Sequence, residues 1–296
     1  MGKIFDALQK AQKSKPGEPE TLPSGTSQKV EPLEALKVVS SGEKVGLTQA
    51  EPGYKIPSTT KAGLSENLYL LLNAQDQPEV LEQYRLLRSS IFSAKQDGQR
   101  PKCIMVTSPV SKEGKSTVAC NLAISIALGI HERVILIDAD MRRPSQHKFL
   151  GTSYKFGLAD YLLRDDVGFK DIIYPTLIDK LYLVPSGSAD PHMATELLAS
   201  NKMRALITET KSKHTDQYVV IDTPPCALTS DPGVLAESAD TILLVIANGV
   251  STNEQISDAL KTLGKEKICG IVFNCCDYHM GLKKYYYQYK QYYGKR

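Results

Sequence analysis

The feature that most restricts how this chain can fold is a set of apolar runs with no polar residue inside them, among them Val134-Ile135-Leu136-Ile137 and Ile242-Leu243-Leu244-Val245-Ile246. A strand open to water on one face alternates polar and apolar side chains, so an uninterrupted run marks a strand covered on both faces. Between the runs lie segments whose apolar residues recur at helical spacing. The series predicts strands over 102–107, 134–138, 181–185, 218–222, 241–247 and 269–273, and helices over 78–94, 116–128, 158–164, 195–212 and 253–263. Strands and helices that alternate in this way form right-handed crossovers, hence an α/β fold: a doubly wound, mainly parallel sheet with helices on both faces. In such folds the ligand sits beyond the carboxyl ends of the strands.

One strand-to-helix junction carries chemistry. Ser108-Pro109-Val110-Ser111-Lys112-Glu113-Gly114-Lys115-Ser116-Thr117 follows the run Ile104-Met105-Val106, which is the setting of a phosphate-binding loop. The pattern G-x-x-x-x-G-K-[ST] is met at Gly114, Lys115 and Ser116 and missed at its first glycine, where Pro109 stands. A loop entering a helix still aims unpaired N–H groups and the positive end of the helix dipole at an anion. The predicted nucleotide cradle is therefore Val110, Ser111, Lys112, Glu113, Gly114, Lys115, Ser116 and Thr117. Within it Lys115 is expected to reach the outer phosphates and the Ser116 hydroxyl to ligate Mg²⁺. This places the sheet in the P-loop NTPase type.

Two of the predicted strands end in carboxylates. The run 134–137 leads into Asp138-Ala139-Asp140-Met141-Arg142, and Tyr218-Val219-Val220-Ile221 leads into Asp222-Thr223-Pro224-Pro225. Carboxylates beside bound phosphates are unfavourable unless a cation lies between them, so Mg²⁺ is expected with ATP. One or more of Asp138, Asp140 and Asp222 would hold the ion, leaving another free for the attacking group.

At this point the chain resembles a family, the bacterial tyrosine kinases. Ser108–Thr117 resembles their Walker A loop, Asp138–Arg142 their second Walker motif, termed A-prime, and Val219–Pro225 their Walker B. Glu82-Gln83-Tyr84-Arg85-Leu86-Leu87-Arg88 matches their E-x-x-R-x-x-R oligomerisation motif, and shorter similar pieces occur at Gly157–Leu162, Glu196–Leu198 and Ser230–Pro232. The chain departs from the family at Ser111 and Lys112, where proline and glycine are common, and at Thr195, where an asparagine-proline pair is usual. The resemblance spans about residues 66–296. It implies catalytic roles for Asp138, Asp140, Lys115 and Arg142, Mg²⁺ held by Ser116, Asp138 and Asp222, and a ring-shaped homo-oligomer built through Glu82, Arg85 and Arg88. Which aspartate is the general base stays open at this level. Division-site and partition ATPases, the nearest alternative, carry a signature lysine at the position of Val110. A weakly active, ATP-dependent assembly switch is a further alternative.

The end of the chain separates these readings. Residues 283–296 hold Tyr285, Tyr286, Tyr287, Tyr289, Tyr292 and Tyr293, against 15 tyrosines in all, interleaved with Lys283, Lys284, Lys290, Lys295 and Arg296. No packed core needs that density at a terminus. Tyrosines between lysines could stack on single-stranded nucleic acid, but the family resemblance implies a cluster phosphorylated by the neighbouring subunit. Each phosphate adds about −1.5 to −2 charges, so a few would reverse the sign of this segment.

Composition adds limits. A net charge of +3 over 296 residues gives no support to a nucleic-acid partner, and none is expected. No run reaches the roughly 18 apolar residues of a membrane span. The six cysteines show no C-x-x-C spacing, so a reduced cytoplasmic protein is expected. Residues 1–13 read as a short amphipathic helix, 14–65 as a disordered tether, 66–280 as the kinase domain and 281–296 as a flexible tail. For a chain of this family without a span, the resemblance implies control of exopolysaccharide or capsule synthesis. It also implies activation by a transmembrane polysaccharide chain-length (co-polymerase) protein at the inner face of the plasma membrane.

Overall fold

The computed structural model describes residues 78–94, 99–188, 190 and 192–276. The expected N-terminal helix (1–13), the tether (14–65), an apolar segment at 69–72 read as an edge strand, and the tyrosine tail (281–296) lie outside the described residues.

Among the described residues helix α1 (Pro78–Ser93) comes first, followed by β1 (Cys103–Thr107), α2 (Lys115–Ala127), β2 (Arg133–Asp138), α3 (Gln146–Phe149) and α4 (Leu158–Leu163). After a 3₁₀ turn come β3 (Tyr174–Pro175), β4 (Leu181–Val184), α5 (Ala194–Ala199), α6 (Asn201–Ser212), β5 (Gln217–Asp222) and α7 (Asp231–Ala236). Strand β6 (Thr241–Ala247), helix α8 (Asn253–Leu263) and strand β7 (Ile268–Asn274) complete the order. The strands form one sheet, β3-β4-β2-β5-β1-β6-β7. Among the described strands only the short β3–β4 pair is antiparallel. Every residue of β1, β5 and β6 is buried, as the uninterrupted apolar runs require of strands covered on both faces.

Helix α2 covers the middle of the sheet. From Val118 to Ala127 all of its residues are buried, and Leu122, Ile124 and Ile126 are among the fully enclosed side chains. Each such side chain stabilises the fold by about 1.5–3 kcal/mol through burial. Helix α1 lies on α2 through Leu81, Tyr84, Leu87 and Ile91. The sheet and α2 together fix the start of α2, and with it the phosphate loop, against the central strands.

One expectation is corrected. The helix predicted over 195–212 is two helices broken at Ser200, whose backbone is extended (φ −65°, ψ 152°) and whose hydroxyl accepts a hydrogen bond from the Met203 N–H. A serine that satisfies a free helix N–H starts a new helix, although helical residues on both sides read as continuous. The short helices α3 and α7 were not expected either. Among the described residues no helix is long and apolar enough to cross a membrane.

Candidate active site

Strand β5 lies between β1 and β2, so the phosphate loop, Asp138 and Asp222 emerge side by side. Asp138 and Asp222 are register partners across β2 and β5. In both strands the carboxylate is the first polar side chain after four apolar ones. The sheet therefore carries both acids, fully buried, to the same edge.

The loop is shaped from within. Lys112 and Gly114 take left-handed backbone conformations, with φ of 68° and 86°. At Gly114 a Cβ would lie 2.2 Å from Nδ2 of Asn274, so both conformation and contact demand glycine there. That Asn274 amide, at the end of β7, donates to the Glu113 carbonyl oxygen (2.9 Å). The Glu113 carboxylate is fully buried and accepts from the Val110 N–H (2.9 Å), the Ala247 N–H (3.2 Å) and the Ser251 hydroxyl (2.6 Å). Both Val110 and Glu113 were expected in the nucleotide cradle. The Val110 N–H and the Glu113 side chain are instead engaged inside the protein, bracing the loop to β6 and to the segment entering α8.

Lys115 is folded onto the acids. Its ammonium donates to Asp140 Oδ2 (2.9 Å) and to Ser116 Oγ (3.0 Å) and lies 4.0 Å from Asp222 Oδ1. Burial by itself lowers its pKa, but Asp222 and Asp140 outweigh that and raise it. Asp138 Oδ2 accepts the Ser145 and Gln146 N–H groups, each at 2.9 Å. Burial, with Asp222 adding to it, pushes the Asp138 carboxyl up to about 8. Asp222 is also raised by burial, with Lys115 and Gln146 opposing.

Among the buried side-chain oxygens here without a hydrogen-bond partner are Oδ1 of Asp138 and Oδ1 of Asp222. Orphaned buried acceptors are costly and rare unless something else binds them. With the Ser116 hydroxyl they make an all-oxygen donor set of the kind Mg²⁺ takes, so the residues fit that ion. Among the described residues no group of three or more His, Cys, Asp or Glu could hold a metal alone. A Mg²⁺ that keeps waters and phosphate oxygens as its other ligands does not need one.

The remaining predicted residues divide. Ser111, Lys112, Gly114, Lys115, Ser116, Thr117, Asp140 and Arg142 all line one cleft of about 520 Å³, within the size range of small-molecule sites. Arg142 is tethered there: its Nε is 3.5 Å from Asp231 Oδ2, and Asp231 also accepts from the Thr195 hydroxyl. Within this chain the contacts of the α1 stripe are divided. Arg85 pairs with Glu82 at 3.7 Å on an exposed flank, whereas Arg88 donates to the Ser125 carbonyl of α2.

Sequence reading missed Gln146. It is fully buried, its side-chain amide donates to Asp222 Oδ2 (2.7 Å) and to the Ser116 carbonyl (3.0 Å), and its N–H serves Asp138. No motif marks it. The only available signal was its place shortly after Asp138-Ala139-Asp140.

Residues 102–268 match the AAA domain family. The chain is 35% identical over 205 residues to the tyrosine-protein kinase YwqD of Bacillus subtilis, covering 68% of this chain and 84% of YwqD. It is 34% identical over 231 residues to EpsB of Ralstonia nicotianae, but there it spans 76% of its own length and only 30% of the relative's. Among solved structures, the kinase domain of the Escherichia coli tyrosine kinase Etk has a TM-score of 0.63 at 29% identity, covering 70% of this chain and 81% of that one. The strand order, the phosphate loop, the paired strand-end acids and these relatives agree: the chain belongs to the bacterial tyrosine kinase family.

Proposed function

We propose that this chain is an ATP- and Mg²⁺-dependent protein-tyrosine kinase. In this reading it phosphorylates Tyr285, Tyr286, Tyr287, Tyr289, Tyr292 and Tyr293 on a neighbouring copy of itself. The observation that carries the reading is the convergence of Lys115, Asp138, Asp140 and Asp222 on one edge of the sheet, with a buried oxygen of Asp138 and one of Asp222 lacking a hydrogen-bond partner. Bound Mg²⁺-ATP supplies the phosphoryl group and neutralises its charge.

The chain's own residues divide the remaining work. Ser116, Asp138 and Asp222 present oxygens for the ion, and the loop N–H groups that remain open cradle the phosphates. Lys115 turns from Asp140 to the outer phosphates. That movement frees Asp140 Oδ2, while Oδ1 keeps the Arg143 N–H at 3.0 Å; Asp140 lines the cleft, and Asp138 is fully buried and held by two main-chain donors. Asp140 is therefore our choice for the general base. A free phenol, with a pKa near 10, is a weak nucleophile at neutral pH, so a carboxylate that aligns it and takes its proton lowers the barrier. The phenol oxygen forms its bond to phosphorus as the phosphorus bond to the departing diphosphate breaks, and the proton passes to Asp140. Arg142, steadied by Asp231, adds positive charge at the cleft wall.

The same reading has Glu82, Arg85 and Arg88 building a ring with a neighbouring subunit, and a transmembrane polysaccharide co-polymerase protein recruiting the kinase to the inner face of the plasma membrane. The output is control of exopolysaccharide or capsule synthesis. Incubation of the full chain with Mg²⁺ and ATP, followed by phosphotyrosine mapping, tests it. Phosphate on the tail tyrosines that disappears in Asp140→Asn and Lys115→Met supports the assignment. Nucleotide hydrolysis with no phosphotyrosine, with or without the co-polymerase segment, overturns it.

A further inference from the structure

Gln146 is the one side chain whose amide touches both the phosphate-loop helix and the β5 acid, while its main chain serves the β2 acid. From a single Nε2 it donates to the Ser116 carbonyl and to Asp222 Oδ2, and its N–H, with that of Ser145, occupies Asp138 Oδ2. The pattern is selective. On each acid the Oδ2 atom is occupied by these donors, and on each acid Oδ1 has no hydrogen-bond partner, the Lys115 ammonium lying 4.0 Å from that of Asp222. Ser116, Asp138 and Asp222 are three residues from three separate segments, and Gln146 bonds to all three. Gln146 also has an orphaned atom of its own, the buried Oε1, so the amide is held by what its nitrogen does and not by a fully satisfied network.

The chemistry of the donor matters as much as its place. A lysine or arginine at this position would satisfy Asp222 and also cancel its charge. A neutral amide fixes the carboxylate and leaves its charge for another cation. Outer partners that orient ligands in this way typically change metal affinity by 10- to 100-fold when removed.

Resting on the kinase reading of this site, we infer that Gln146 is a positioning residue for Mg²⁺: it fixes the Oδ2 atoms of the two strand-end acids and the start of α2, so that the two Oδ1 atoms without hydrogen bonds and the Ser116 hydroxyl form one preset oxygen site. It touches neither nucleotide nor substrate.

The test uses the full chain and a fluorescent ATP analogue, titrated in EDTA and at rising Mg²⁺. Gln146→Met keeps the length and removes the amide. It is expected to raise the Mg²⁺ concentration for half-maximal tight binding by about 10-fold or more, while metal-free nucleotide affinity stays within about twofold. Gln146→Glu, nearly the same shape, sets an acceptor against Asp222 and is expected to move the Mg²⁺ requirement in the same direction; it also serves if the methionine variant does not fold. Equal losses with and without Mg²⁺, or no change in either, overturn the inference. Failure of the unaltered chain to bind the analogue with Mg²⁺ overturns instead the kinase reading on which it rests.

Discussion

The two ends of the sheet treat carboxylates in opposite ways. At the amino end of the strands, Asp240 precedes β6 and accepts the Lys102 and Cys103 N–H groups, both at 2.9 Å, and the Lys211 ammonium at 2.7 Å. Burial pushes its carboxyl up, but Lys211 and the two main-chain donors outweigh burial and hold it below the usual range. At the carboxyl end, Asp138 and Asp222 are more deeply buried, less well supplied with donors, and raised. The first acid ties the β1–β6 edge together and is complete without any ligand. The second pair is incomplete, and the incompleteness is where a cation belongs. A buried acid in a sheet like this one indicates function when it lacks partners, not merely when it is buried.

Four measurements test that contrast. The largest effect is expected from Lys115→Met, which leaves the acids without their ammonium and the phosphates without theirs. Phosphotyrosine formation should fall by about 10²–10³-fold or more, and near-normal turnover would remove the site from this end of the sheet. Next is Asp240→Ala, with a predicted cost of about 2 kcal/mol in denaturant unfolding, the loss of charge-assisted hydrogen bonds. Nucleotide affinity of the folded fraction should be unchanged, and a selective loss of affinity would erase the distinction between the ends.

The third measurement is pH. Because the folded Asp138 carboxyl is raised to about 8, the folded chain binds more protons than the unfolded one between the ordinary carboxylate range and that value. Stability must then fall as pH rises through this window. Asp240, lowered, has the opposite sign: its contribution is present above the ordinary carboxylate range and is lost as pH falls through its folded value. In EDTA and without nucleotide, the melting temperature is expected to be lower at pH 9 than at pH 6, by the equivalent of about 1–3 kcal/mol. Asp138→Asn should flatten the difference, and a rise in melting temperature with pH would contradict the assignment. The smallest effect is expected from Lys112→Gly. A lysine at φ 68° is strained, and relief should raise stability by about 0.5–1 kcal/mol, while loss of a cleft-lining ammonium weakens ATP binding by less than Lys115→Met does.

How legible all this was in the sequence depended on range. Strands such as 134–138 and 241–247 were legible because burial on both faces leaves a local mark, an unbroken apolar run. Asp138, Asp140, Asp222 and Lys115 were legible because each sits at the end of such a run or at a loop-to-helix junction. The break at Ser200 was not, since a capping serine inside helical composition looks like any exposed serine. Glu113 was placed in the cradle by its neighbours, while its carboxylate is claimed by Ala247 and Ser251, more than a hundred residues away. Gln146 was illegible for the same reason: its partner Asp222 is 76 positions distant, and a neutral amide at the start of a four-residue helix carries no local pattern.

The contact between Asn274 and the Glu113 carbonyl joins the outermost strand of the sheet to its central loop. An edge strand opens more readily than a core strand, and β7 is only partly buried along its length. When β7 opens, the Glu113 carbonyl loses its donor and Gly114 loses the side chain packed against it. The lifetime of the phosphate loop's shape is therefore bounded by that of an edge strand, and amide hydrogen exchange in the loop should follow exchange in β7 and not the slower exchange of β1.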